Sequence, residues 1–459
     1  MKKLFPLLLV FCACNSFAQD HYIGVNTSSR AGILNGSLNP AEFANLSKKF
    51  EVNIYGMSVN LANNIVSLSD LDSDTDIEDL IFNGNSTVDM SVDAEISGLG
   101  VAMKWKKWGF GISSKAHIKF DLVDIDPNLG QGIINSEDLV LGGSTVIGND
   151  YNQRMNGTSW GEVGLSAARN VFENDKHRFN AGLTLKLLFP GSYSNFGMDK
   201  FTGTITNSID INNPNATSAY LHSTSANLNF AYSGNLADSF TDASDYSKSI
   251  FGGLNGFATD LGVNYQWKDG DSKKYKINAG MSIRNIGSMT FNDGNNSSTS
   301  YVLSIPNQSI ANGPGLDLTL FENAESLKDV EKILLDSGYL TSKKSSKDFK
   351  VKLPTTFNVY ADFKVYHKFY ITGQVQQRLN DNNNNDQITA HNSFSIIPRI
   401  NLGFFEAYIP FSNNEISGGN TGLGFRLGGF YLGSGSVVSA LINDSKQIDF
   451  NMGFRWAFL

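Results

Sequence analysis

Cysteine is almost missing from this chain of 459 residues: there are two, Cys12 and Cys14, and both fall in a leader-like stretch. Lys2 and Lys3 form a charged start, Leu4 to Ala13 an apolar run, and Ser16-Phe17-Ala18 a small-residue cleavage site before Gln19. This is the pattern of a secretory signal peptide over residues 1–18. A lipoprotein leader with Cys14 lipidated is the rival reading, although Phe11 stands where such leaders usually carry Leu. Cleavage after Ala18 leaves no thiol, which excludes disulfides and thiolate metal sites.

Charge is scarce too. Only 17% of residues are charged, and the net charge is -8. A nucleic-acid binder needs a basic face to neutralise phosphates, so no nucleic-acid partner is expected. Beyond the leader no apolar run is long enough for a membrane-spanning helix, and the leader's own run is too short. A membrane protein without such helices must be a closed barrel, because closure alone satisfies every backbone group in lipid. A soluble exported β protein is the other possibility at this point.

What the sequence does have is aromatics at 12%, abundant glycine, and alternation of period two in segments of about ten residues, the length a tilted strand needs to cross a bilayer. Phe257, Thr259, Leu261, Val263, Tyr265 and Trp267 share one face, against Ala258, Asp260, Gly262, Asn264, Gln266 and Lys268. Asp269-Gly270-Asp271 then marks a tight turn, and the next strand sets Tyr275, Ile277, Ala279, Met281 and Ile283 against a polar face ending in Arg284. The pattern recurs at Phe110–Asp121, Phe179–Phe189 and Phe357–Val365, and the stretch from Glu95 to Val101 changes phase near Gly98 and Gly100, as at a bulge. The final run places Phe450, Met452, Phe454, Trp456 and Phe458 on one face. Its last three aromatics, Phe454, Trp456 and Phe458, resemble the signal that barrel-assembly machinery reads. In a soluble protein such a long aromatic edge would invite aggregation.

Connection lengths point the same way. Short turns are expected at Lys106-Lys107, Asn170 to Lys176, Asp269 to Lys273, Tyr366-His367, near Gly403, and at Gly433 to Gly435. Longer connections fall between them, and Pro190 to Asn255 reads as one outer excursion with its own hairpin. The expected fold is therefore all-β: a transmembrane antiparallel β-barrel of about fourteen strands, with short periplasmic turns and long outer loops. The expected organisation is residues 1–18 as signal peptide, 19–49 as an N-terminal periplasmic or lumenal segment, and 50–459 as barrel. One helix is expected in the outer loops, from the stripe Leu327, Val330, Ile333 and Leu334, a capping box at Ser326 and Asp329, and a stop at Gly338. It either packs on the loop crown or binds a partner.

Candidate chemistry is thin. Asp70, Asp72, Asp74, Asp76, Glu78 and Asp79 offer clustered carboxylates to calcium, but no glycine or closing glutamate makes them an EF-hand, and a solvated loop is the plainer reading. The tract Asp381 to Asp386 has the same two readings. His117 shares a face with Ser113 and has Asp121 nearby. Four residues along a strand separate Ser113 and His117 by roughly 13 Å, too far for a hydrolase pair. The sequence thus argues against an enzyme, and it points to no metal and no cofactor. What remains is the polar face: Lys115, Lys119, Lys186, Asp260, Arg284, Asp362, Arg378, Arg399, Arg426, Asp449 and Arg455 are expected to face the lumen, either as a salt-bridged closed interior or as a polar passage around a plug.

The run Gly256 to Tyr265 followed by Asn278 to Gly287 resembles a barrel hairpin of the PorV-like branch of the long-chain fatty-acid transporter (FadL) superfamily. Leu38-Asn39-Pro40-Ala41 is similar to the superfamily's Asn-Pro-Ala element, and Leu353-Pro354-Thr355 leading into Phe357 also fits. The overall pattern is closest to an uncharacterised group within that branch. The resemblance implies a barrel of about fourteen strands in the outer membrane, with an N-terminal segment entering the lumen. In transporters of the superfamily that segment gates hydrophobic molecules; PorV-like members instead serve type IX secretion. The expectation is passage of a small or hydrophobic solute, and the alternative is a non-transporting scaffold or cargo-binding barrel of a type IX secretion or envelope complex. The partners expected are outer-membrane lipid, the barrel-assembly machinery, and either a hydrophobic ligand or a secretion-system protein.

Overall fold

The computed structural model describes residues 21–458 apart from 29, 71–76, 83, 85, 135–142, 210–216, 240–250, 270–274, 310, 322–323 and 443–444. The leader lies outside the described residues, as does most of the acidic loop from Asp70 to Asp79. Among the described residues no helix is long and apolar enough to cross a membrane.

Fourteen strands close on themselves. In chain order they are β1 (Phe50–Asn63), β2 (Val88–Ser97, continued as Gly100–Trp105), β3 (Trp108–Ile125), β4 (Asn152–Glu173), β5 (His177–Ile209), β6 (Gly256–Lys268) and β7 (Tyr275–Phe291). They continue with β8 (Thr356–Tyr366), β9 (Phe369–Arg378), β10 (Ser393–Asn401) and β11 (Phe405–Tyr408, continued as Phe411–Asn414). The last are β12 (Gly418–Thr421, continued as Leu423–Leu427), β13 (Phe430–Ser434) and β14 (Gln447–Phe458). Each pairs antiparallel with its sequence neighbours, and β14 closes the ring on β1. This closure leaves no lipid-exposed edge.

Alternation dictates the two faces. Along β6, Phe257, Leu261, Val263 and Trp267 are exposed while Ala258, Asp260, Gly262 and Asn264 are buried. Ile112, Leu185, Met281 and Phe363 continue the outer apolar face on neighbouring strands. The interrupted β2, broken at Gly98 and Leu99, is the phase change expected there.

One turn is placed differently from expectation. The link from β12 to β13 is Gly428-Gly429, not Gly433 to Gly435. Gly428 has φ +61, and a Cβ on Gly429 would collide with the Arg455 carbonyl, so both positions need glycine. The Gly433–Gly435 stretch instead opens an outer connection that carries a short helix, Val437–Ile442. A sequence with three glycine-rich sites in eight residues does not say which one turns.

Beyond one rim of the ring the sheet continues as a crown. β5 pairs with β6 over His177 to Leu188, then exchanges that neighbour for the strand Thr217–Ser233 from Tyr193 onward. Ser297–Ile305 and Leu340–Ser346 extend the crown. The helix Leu327–Asp336 is capped by Ser326, whose side chain accepts from the Asp329 amide, and it ends at Gly338 with φ +78. Leu327 and Leu334 are packed in the crown core with Phe230 and Tyr301. The same face buries Glu331, which accepts from the Tyr232 and Tyr301 hydroxyls at 2.9 and 2.6 Å.

Candidate functional site

The barrel interior is occupied. Residues 21–46 run through it, forming a short helix, Ile33–Leu38, and a 3-10 turn, Pro40–Asn45. Asn39 joins the two: its Oδ1 accepts from the Ala41 amide at 3.0 Å, and Pro40 sets the first position of the turn. The same side chain donates to the Val263 carbonyl at 2.9 Å. The wall opposite is stripped to glycine, with Gly182 and Gly262 in register and Gly280 on the next strand. A Cβ on Gly182 would run into the backbone of Pro40 and Ala41, and one on Gly262 into Asn39. Asn39, Pro40 and Ala41 therefore sit in a groove cut to their shape. Next to it the buried Glu42 accepts from Asn264 and Asn278, each at 2.9 Å, and from the Tyr360 hydroxyl.

Two apolar seats hold the rest of the segment. Val25, Ala31 and Leu34 pack on Ile397, Tyr408 and Tyr431. Ile33, Phe43, Ala44 and Leu46 pack on Ala102 and Ala168. Both seats combine wall residues with plug residues, so the wall alone does not fill them.

Around the seats the interior is charged and paired. Toward the rim away from the crown Arg455 meets Glu51 at 3.0 Å, Arg426 meets Glu406 at 3.3 Å, and Arg399 meets Asp362 at 2.7 Å. Two of these contacts reach the plug: Glu51 also accepts from the Ile33 amide, and Arg399 donates to the Gly24 carbonyl. Further out Lys119 and His21 share Asp93, at 2.6 and 3.1 Å, and Lys115 meets Glu95 at 2.9 Å. Lys186 bridges Glu162 and Asp260 at 3.4 and 3.0 Å. His117 stands between Glu95 and Glu162, stacked on Trp160 with centroids 4.4 Å apart.

The outer end is closed by the connection 380–391, folded inward. Arg154, fully buried, donates to the carbonyls of Asn382, Asn384 and Gln387 at 2.5, 2.5 and 3.1 Å. The oxygen-rich tract that invited a cation thus wraps a guanidinium of the chain itself. His391 is held between Asp121 and Glu415, each at 3.2 Å, and Arg378 pairs with Glu415. Burial lowers the His391 pKa, but hydrogen bonds to the two carboxylates outweigh that and raise it to about 9.

Of the eleven charged residues expected inside, Lys115, Lys119, Lys186, Asp260, Asp362, Arg399, Arg426 and Arg455 are buried and ion-paired. Arg378 is half-buried with Glu415, and Arg284 is half-buried near Lys186. Asp449 is half-buried on β14 and holds the connection after β13, accepting from the Gly435 amide and Ser436 hydroxyl at 2.6 Å each. Trp456 and Phe458 are exposed on the lipid face, Phe454 packs edge-on to Trp456, and Phe458 stacks on Phe50 across the closing seam. The residues not expected are mostly the acids: Glu42, Glu51, Asp93, Glu95, Glu162 and Glu406. For the five on strands the signal was available, since each basic residue buried in a barrel needs an opposite charge.

Residues 40–435 match the model of DUF5723, described as a family of unknown function. No curated protein matches the sequence. Among solved structures, a mutant of the monoaromatic hydrocarbon channel TodX is 8% identical over 96% of this chain and 95% of its own, with a TM-score of 0.46. The toluene transporter TbuX of Ralstonia pickettii is 10% identical over 94% and 95%, with a TM-score of 0.40. A FadL homologue of Pseudomonas aeruginosa is 9% identical over 96% and 98%, with a TM-score of 0.41.

Proposed function

We propose the following for this chain, which belongs to the DUF5723 family: it is an outer-membrane barrel that passes a small hydrophobic solute when its N-terminal segment yields the lumen. The observation that carries this reading is the pair of apolar seats shared between wall and plug and set among ion pairs. A passage for ions or sugars has no use for them. A barrel that only held itself together would fill them from its own wall. Here they are filled by a segment that can be withdrawn, and its withdrawal would bare Ile397, Tyr408 and Tyr431 to a solute of matching polarity. The outward apolar face and the closed strand ring support the membrane placement.

A cargo-binding scaffold would use the outer loops, and the helix Leu327–Asp336 is the element suited to it by sequence. That helix already packs its stripe on the crown, so it gives the scaffold reading no free apolar face.

The test is flux into liposomes. A variant lacking residues 21–46 should admit an apolar dye much faster than the intact chain, while a sugar of similar size gains little. Equal gains for dye and sugar, or none for either, would overturn the reading.

A further inference from the structure

We propose that the periplasmic mouth of the barrel is a binding site for a phosphate-bearing ligand. A vestibule of about 990 Å³ opens there, its inner end formed by the plug residues Asn35, Glu42 and Asn45. Among the described residues seven cationic side chains line it against three carboxylates, in a chain whose net charge is -8. Two of the three carboxylates are already engaged, and Asp175 is the third. Glu42 is engaged by Asn264, Asn278 and Tyr360. Glu173 is taken by Arg178 and Lys268, each at 2.6 Å. Among the described residues Lys48, Lys49 and Lys368 have no ion pair, and all three are exposed. Arg30, from the plug, donates to the Gly403 carbonyl rather than to a carboxylate. Burial, then repulsion from Arg426, holds its pKa below the usual arginine range.

These charges come from separate parts of the chain: the plug, the link into β1, and the turn between β8 and β9. They converge on one concave space, where low-dielectric walls concentrate the field. A single carboxylate could meet only part of such a ring. A phosphate, with three acceptor oxygens and more than one charge, can meet lysines from several sides at once. Its source is either a soluble phosphorylated compound or the headgroup of a lipid in the inner leaflet. The site does not depend on solute passage, so its test needs no flux.

The experiment uses the full chain in nanodiscs of zwitterionic lipid, titrated with pyrophosphate in a calorimeter at low ionic strength. The Lys48→Gln/Lys49→Gln/Lys368→Gln variant is compared with Lys343→Gln/Lys344→Gln, which alters exposed lysines on the crown. Binding that weakens at least about tenfold in the first variant and stays unchanged in the second supports a soluble ligand at this site. A second arm uses phosphatidylglycerol nanodiscs and native mass spectrometry. Lipid retained by the intact chain and lost from the first variant, without pyrophosphate binding, supports the headgroup source. Failure of both probes to bind, or equal binding by both variants, overturns the proposal. All the substituted lysines are exposed, and unchanged heat-dependent migration on gels verifies that the barrel is intact.

Discussion

Asn39 uses one side chain for two purposes: its oxygen caps the turn that begins at Pro40, and its nitrogen ties that turn to the wall at Val263. Replacing it with alanine removes both, at a cost of about 1–2 kcal/mol. The expected result for Asn39→Ala is faster amide exchange across residues 33–46 with an unchanged barrel melting temperature. Gly182→Val tests the groove from the wall side. Its side chain would occupy the place of Pro40 and Ala41, so planar-bilayer recordings should show larger conductance than for the intact chain. Arg399 tests the charged interior. It is buried between Asp362 and Glu406, and Arg399→Met strips Asp362 of its counter-charge while Glu406 keeps Arg426, costing about 3–5 kcal/mol. Thermal unfolding should show the loss. The Asn-Pro-Ala run was legible through its resemblance to a family element. Glu42, the next residue, was not, because nothing local distinguishes a glutamate bound for Asn264 and Asn278 from a solvated one.

The inward-folded connection 380–391 is an element whose hold depends on pH. Protonated His391 bonds Asp121 and Glu415, and Arg378 adds to the same carboxylate. Its pKa is raised from 6.5 to about 9, so the stabilisation is full below pH 6.5 and fades as pH rises through about 9. Amide exchange in residues 382–391 should therefore quicken between those limits, and His391→Gln should remove most of the dependence. An exchange profile flat in pH would show that Arg154 alone holds the connection. Strand elements were legible wherever both faces alternate cleanly, as in β6 and β7. The connection was legible as a loop but not as a lid, since its fold is set by Arg154, more than 200 residues away in sequence. The turn after β12 was misplaced for a different reason: φ at Gly428 is decided by the strands it joins, and those strands are too short to show a period.

At the scale of the molecule, a ring of fourteen strands whose first strand starts and last strand ends at the same rim followed from alternating connection lengths, because a closed antiparallel ring permits little else. What that logic could not give is how the outer excursions stack into a crown, which depends on pairings between distant segments such as β5 with Thr217–Ser233. The register where the crown begins carries a further meaning. Leu188 and Gly256 are direct partners across β5 and β6, and the Leu353 amide bonds the Gly287 carbonyl where the second excursion returns to the barrel. Each excursion therefore departs and returns at adjacent points, like a cassette in a vector with two cloning sites. The outward-facing part of the molecule can be exchanged while the part that holds the plug is kept, which makes the barrel a chassis on which different surfaces can be grafted.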